Sequence, residues 1–129
     1  MGAALEIVSR FYEATNRRQV EGLGDMVAAN VTFTGPVMHA TGANEYLQMN
    51  AQLLPFHRET RMLAQFEREH DVCSLYEMDL ETPAGGRLTV TMADWIRVED
   101  GKIAEQRIFF DPRSFAAGFG LEGASAPTP

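Results

Sequence analysis

The chain has 129 residues, of which 45% are hydrophobic and 22% charged, with 18 acidic and 11 basic side chains for a formal charge of −7. This is the composition of one domain with a real core rather than of a disordered chain. A net-acidic surface lacks the broad positive field that nucleic acid or an anionic membrane requires, so neither partner is expected.

In chain order, Ala4, Ile7, Val8, Phe11 and Tyr12 repeat at helical spacing and predict a first helix over Ala3–Arg17. Val20, Leu23 and Val27 predict a second over Val20–Ala29, stopped by Asn30. A short strand, Val31–Thr34, ends at Gly35-Pro36, because proline cannot continue a central strand. A loop through His39 leads to a third helix over Ala43–Leu54, ended by Pro55. Four strands follow, over Thr60–Glu69, Val72–Glu81, Arg87–Val98 and Lys102–Phe110, joined by short turns. Glu99-Asp100-Gly101 reads as a three-residue bulged hairpin, which sets Asp94 opposite Gln106 and Met92 opposite Ile108. The glycine-rich end, 117–129, is expected to be a mobile tail after a single domain over 1–116. Helices followed by hairpin strands predict an α+β domain, a curved antiparallel sheet wrapped around helices with a cavity between them.

The most informative residue is Asp94. One face of its strand reads Leu88, Val90, Met92, Asp94, Ile96, Val98, apolar except for the carboxyl. Burial there costs free energy unless the group is paired, protonated or wetted, and it raises the pKa. Either Gln106 satisfies Asp94 as a structural pair, or a neutral Asp94 donates to a ligand oxygen. The opposite face carries Trp95, Phe109 and Arg107, an aromatic patch that suggests a homodimer through the outer sheet face. In Val72–Glu81 two registers remain open. One puts Tyr76 inside, the other Glu77 and Asp79.

His39 is placed beyond Gly35-Pro36, where a histidine could serve as general base. His57 follows a helix end, where a cation suits the dipole, and His70 sits in a turn. No His, Asp or Glu spacing suggests a metal site, and no glycine motif suggests a phosphate-binding cofactor. The lone Cys73 excludes an internal disulfide and a multi-cysteine zinc site, and reads as core or pocket lining. With no long apolar run and no basic leader, the protein is expected to be cytoplasmic.

Four segments resemble the NTF2-like superfamily, in its SnoaL-like and ketosteroid-isomerase-like branch. They are Ile7-Val8-Ser9-Arg10-Phe11-Tyr12, Val31-Thr32-Phe33-Thr34-Gly35-Pro36, the run from Ala93 to Ile103 that contains Asp100-Gly101-Lys102-Ile103, and Phe109 to Phe115. The resemblance implies a dimeric α+β cone with an apolar pocket. Asp94 matches the aspartic acid that donates to an oxyanion in ketosteroid isomerases. The position of their general base is Gly35, and their helix-one tyrosine aligns with Phe11, beside Tyr12. In limonene-type epoxide hydrolases, an Arg-x-Asp pair and a second Asp match Glu77, Asp79 and Ile108.

These readings suggest a cofactor-independent enzyme of the polyketide-cyclase or isomerase type, acting on a small, largely apolar carbonyl compound. Asp94 is the acid/base or hydrogen-bond donor, with His39 or Asp79 moving a proton. Phe11, Phe33, Met92, Ile108 and Phe110 are candidate pocket walls, and Tyr12, Tyr76 and Gln106 complete the candidate ligand contacts. The alternatives are a non-catalytic ligand-binding or dimerisation module and, third, an epoxide hydrolase.

Overall fold

The computed structural model of the chain describes residues 2–121, apart from the side chain of Val20. Helix α1 spans Ala3–Asn16 and buries Ala4, Val8, Phe11 and Tyr12, one stripe at helical spacing. Its N-terminus has no cap from its own side chains. Glu67 supplies one from the sheet, accepting from the backbone N–H of Gly2 at 3.0 Å and of Leu5 at 2.9 Å. Arg18, at φ 59°, turns the chain out of the helix.

The second expected helix is a correction. Only Val20–Asp25 coils, as a 3₁₀ turn, and strand β1 already runs over Val27–Thr34. Gly22 and Gly24 weaken a helix here. Val27, Val31 and Phe33 gain instead by burial in a strand paired with β6. The loop expected around His39 contains a short strand, β2 (His39–Thr41). Helix α2 (Ala43–Leu53) passes into a 3₁₀ turn, Leu54–Phe56, that holds Pro55.

The long strands are β3 (His57–Arg68), β4 (Asp71–Glu81), β5 (Arg87–Glu99) and β6 (Lys102–Phe109). With β1 and β2 they form a six-stranded, curved, unclosed sheet in the order β2-β1-β6-β5-β4-β3. All pairs are antiparallel except β1 with β6, which is parallel and departs from the expected all-antiparallel sheet. The α+β architecture stands as expected, with α1 and α2 packed on the inner face.

Register decides which side chains face the helices. Tyr76 pairs with Met92 and Met78 with Val90, so the Tyr76 face of β4 is inside and Glu77 and Asp79 are outside. The β5–β6 turn has two residues, not three: Asp100 and Gly101 both have positive φ, at 52° and 75°. An extra residue, Ala104, then bulges between the Val98–Ile103 and Arg97–Glu105 pairs. Asp94 therefore pairs with Ile108 and Ile96 with Gln106. The slip is two residues, so Gln106 and Ile108 keep the inner face.

A helix absent from the expectation, α3 (Pro112–Gly118), follows β6. Asp111 caps it, accepting from Arg113 N–H at 3.0 Å, and Pro112 occupies the first turn. Phe115 is buried, stacks on Phe119 at 4.6 Å and meets Phe110 edge-on at 5.7 Å. Residues 117–121, counted in the expected mobile tail, thus carry packed aromatic contacts, and 122–129 lie outside the described residues. Among the described residues, no helix is long and apolar enough to cross a membrane.

Candidate functional site

A cavity lies between the inner sheet face and α1 and α2, with Phe115 of α3 in its wall. Its volume is about 70 Å³. Every candidate wall residue lines it: Phe11 and Tyr12 from α1, Phe33 from β1, Tyr76 from β4, Met92 from β5, Gln106 and Ile108 from β6, and Phe110 just after it.

The wall is mostly apolar, and Asp94 is the one carboxyl among the residues that line it. It is fully buried at the middle of β5. Its Oδ2 accepts from the Tyr12 hydroxyl at 2.6 Å and from the Tyr76 hydroxyl at 3.0 Å. Gln106 Nε2 donates to Oδ2 at 2.9 Å and to Oδ1 at 3.1 Å. Gln106 is oriented in turn by Tyr46 of α2, whose hydroxyl donates to Oε1 at 2.5 Å. Five elements thus converge on one carboxyl, and every member of the network is partnered.

Burial pushes Asp94 up to about 6, against its three donors, which hold it down. Burial and the Asp94 charge push the Tyr12 and Tyr76 phenols well above their ordinary range, so both stay protonated donors. Gln106 does satisfy Asp94, but as one donor of three and from a diagonal position. The two tyrosines are the contacts that the strand pattern alone did not reveal.

A second polar group in the wall was missed. His57, 1% exposed, opens β3. Its Nε2 lies 2.8 Å from Thr60 Oγ1, and Asn16 fixes Thr60 through both backbone groups. Its Nδ1 is buried with no hydrogen-bond partner. An orphan of this kind costs about 1–3 kcal/mol and calls for an explanation. Burial, then the charges of Arg18 and Arg58, lowers the imidazole pKa and keeps the ring neutral. The sequence reading began the strand at Thr60 and left His57 at a helix end. No local pattern marks it: His57 and Thr60 both turn inward only through their pairings with Leu80 and Met78, with a register shift between them.

Two proposed catalytic residues are not in the cavity. His39 is exposed on the edge strand β2. Asp79 is on the outer sheet face, ion-paired to Arg61 and accepting from Thr89 Oγ1 at 2.7 Å. Arg61 and Thr89 hold its carboxyl down at about 2. Cys73 likewise pairs with Trp95 and Phe66 on the outer face, rather than joining the cavity wall. The epoxide-hydrolase arrangement, which needs Asp79 inside, is therefore absent.

Gly35 explains the missing base in space. A Cβ there would lie 2.9 Å from Ile108 Cγ1 and 3.4 Å from Phe33 Cε1. The two positions that the resemblance assigns to carboxylates, Gly35 and Ile108, thus share one small space. Among the described residues, no group of three His, Cys, Asp or Glu side chains is placed to hold a metal.

The family model described as a SnoaL-like domain matches residues 8–106. No curated protein matches the chain. An NTF2-like protein of unknown function from Cytophaga hutchinsonii is 25% identical, with 87% of this chain and 93% of that one covered at a TM-score of 0.76. A protein of ketosteroid isomerase-like fold from Catenulispora acidiphila, in complex with trimethylamine, is 19% identical over 96% of this chain and 98% of that one, TM-score 0.75. TerC, co-crystallized with polyporic acid, is 16% identical over 91% and 98%, TM-score 0.77. The last two likenesses are of fold alone.

Proposed function

Because the chain belongs to the SnoaL-like domain family, we propose that its cavity takes a small, largely apolar carbonyl compound and moves a proton on it without a cofactor, as polyketide cyclases and isomerases do. The observation that carries this reading is Asp94, a buried carboxyl with three donors in a largely apolar wall. A group titrating near 6 can give or take a proton at neutral pH. Tyr12 and Tyr76 each give their one O–H to the Asp94 carboxylate, and when Asp94 takes up a proton those O–H groups are released as donors for the oxygen of a developing enolate. That relatives of the same fold hold trimethylamine and polyporic acid supports small-molecule binding. The test is α-proton exchange: a panel of small apolar ketones in D₂O, followed by NMR, with accelerated exchange expected for those that bind. Binding without any acceleration refutes the catalytic reading.

That negative result would favour a second reading, a non-catalytic binding module. Its support is the Gly35–Ile108 contact, which fills the place of a base.

A second copy of the chain is the proposed partner of the outer sheet face. Cross-strand pairing sets Phe66, Cys73, Trp95 and Arg107 in one row, and Ala64, Leu75, Ala93 and Phe109 in the next. Phe66 is 61% exposed, Phe109 53% and Trp95 40%, with the Arg107 guanidinium 4.3 Å over the indole. Arg97 and Arg107 alternate with Glu99 and Glu105 around this patch, so a two-fold copy can pair opposite charges. Light scattering is expected to give a dimer, and Phe66→Glu with Trp95→Glu a folded monomer. A monomeric parent protein excludes this interface.

A further inference from the structure

From the unpartnered nitrogen of His57 in the cavity wall, we infer that His57 is a specificity residue, binding a hydroxyl at the far end of an elongated ketone whose carbonyl lies at Asp94. The inference rests on the carbonyl reading of the Asp94 end and adds the other half of the ligand.

Position sets the shape of that ligand. His57 pairs with Leu80, and Leu80 with Leu88 at the start of β5. Asp94 is six residues farther along the same strand, so roughly 20 Å of strand separates the two backbone positions at ~3.3 Å per residue. Both side chains line one cavity. The rest of the wall includes Met78, Met92, Ile108, Phe110 and Leu53, with Thr15 and Asn50 as polar but uncharged members. The complementary molecule is therefore a slender apolar body with one oxygen function at each end.

The chemistry of the far group follows from the ring. Nε2 is committed to Thr60 Oγ1, and the Arg18 guanidinium donates to the His57 carbonyl oxygen at 2.7 Å, which fixes the backbone beneath it. Nδ1 alone remains. The Thr60 hydroxyl can donate or accept, so the ring can carry its proton on either nitrogen. A ligand hydroxyl serves both tautomers, whereas an ether or a ketone serves only one. A cation is disfavoured by the nearby charges of Arg18 and Arg58. Filling this site removes a buried orphan that the free protein carries, which favours the hydroxylated ligand over its plain counterpart.

The test compares 10-hydroxydecan-2-one with decan-2-one by calorimetric titration, so it reads binding and is independent of proton exchange. The hydroxylated probe is expected to bind about tenfold more tightly to the parent protein. His57→Phe should erase that preference, read as the ratio of the two affinities within the variant. His57→Met, which fills the same space with no nitrogen, should erase the preference too and provides a second readout if His57→Phe does not fold. Equal affinities in the parent, failure of both probes to bind, or a preference that survives His57→Phe overturns the assignment. Failure of the exchange assay alone leaves this comparison intact and removes only the catalytic reading.

Discussion

Asp94→Asn is expected to lower α-proton exchange by about 10²–10³-fold, the usual loss on removing one preorganised group that stabilises an oxyanion. The same substitution is expected to flatten part of the stability–pH curve. The carboxyl titrates at its ordinary 3.8 when unfolded and at about 6 in the fold. Between those values the folded protein holds a proton that the unfolded chain has released. Stability from this group is full below about pH 4 and is lost as the pH rises through about 6, in total about 3 kcal/mol at ~1.4 kcal/mol per pH unit. The His57 imidazole acts in the opposite direction, because its lowered pKa costs stability as the pH falls below its ordinary value. Asp79 and Asp111, held at about 2, act only below about pH 4. The informative quantity is therefore the difference between parent and variant, measured by urea unfolding from pH 4 to pH 7.

The variant is expected to fold. Tyr12 and Tyr76 both donate to Oδ2, so an amide oxygen in that place keeps both. The new NH₂ would face Gln106 Nε2, and a turn of the Gln106 amide, with the Tyr46 hydroxyl then accepting, restores the network. A parallel pair of stability–pH curves, or undiminished exchange in a ketone that binds, would count against Asp94 as the titrating group of the site.

Restoring the missing carboxylate is expected to be costly. Gly35→Asp should destabilise the protein by about 2–4 kcal/mol. Overpacking against Ile108 accounts for about 1–3 kcal/mol of this, and desolvating the new carboxyl beside the cavity for the rest. The backbone is not the obstacle, since Gly35 is absent from the positive-φ positions. The Ile108 side chain is, with Cγ1 2.9 Å and Cδ1 3.2 Å from the added Cβ. Ile108→Ala alone should cost about 2–5 kcal/mol by opening a cavity. The double substitution should cost at least about 1 kcal/mol less than the sum, because each change relieves the other. Additive costs in denaturant unfolding would show that the two side chains do not compete for one space.

The local signals in the chain were strong where one face alone was buried. Alternation placed Val90, Met92, Asp94 and Ile96 correctly on the inside of β5, and helical spacing did the same for Ala4, Val8, Phe11 and Tyr12. The Asp100-Gly101 turn was located, but its length was misread, because the compensating bulge at Ala104 leaves no mark in composition. The inner face survived that error since the slip was an even number of residues. The helix expected over Val20–Ala29 failed for a different reason. Its apolar residues suit helix and strand alike, and pairing with β6 chose the strand.

The chain's own pattern was enough to single out Asp94 and to indicate an α+β shell around it, because a carboxyl in an apolar row is anomalous at any tertiary placement. It was not enough to assign partners. Tyr12, Tyr46, Tyr76 and Gln106 come from four other elements, and their meeting depends on how α1 and α2 lie across the sheet. His39, Asp79 and His57 make the same point from the other side. Each is an ordinary polar residue in sequence, and strand pairing put the first two outside and the third in the cavity wall. A residue's cost of burial can be read from its neighbours in the chain, whereas its chemistry depends on neighbours that only packing supplies.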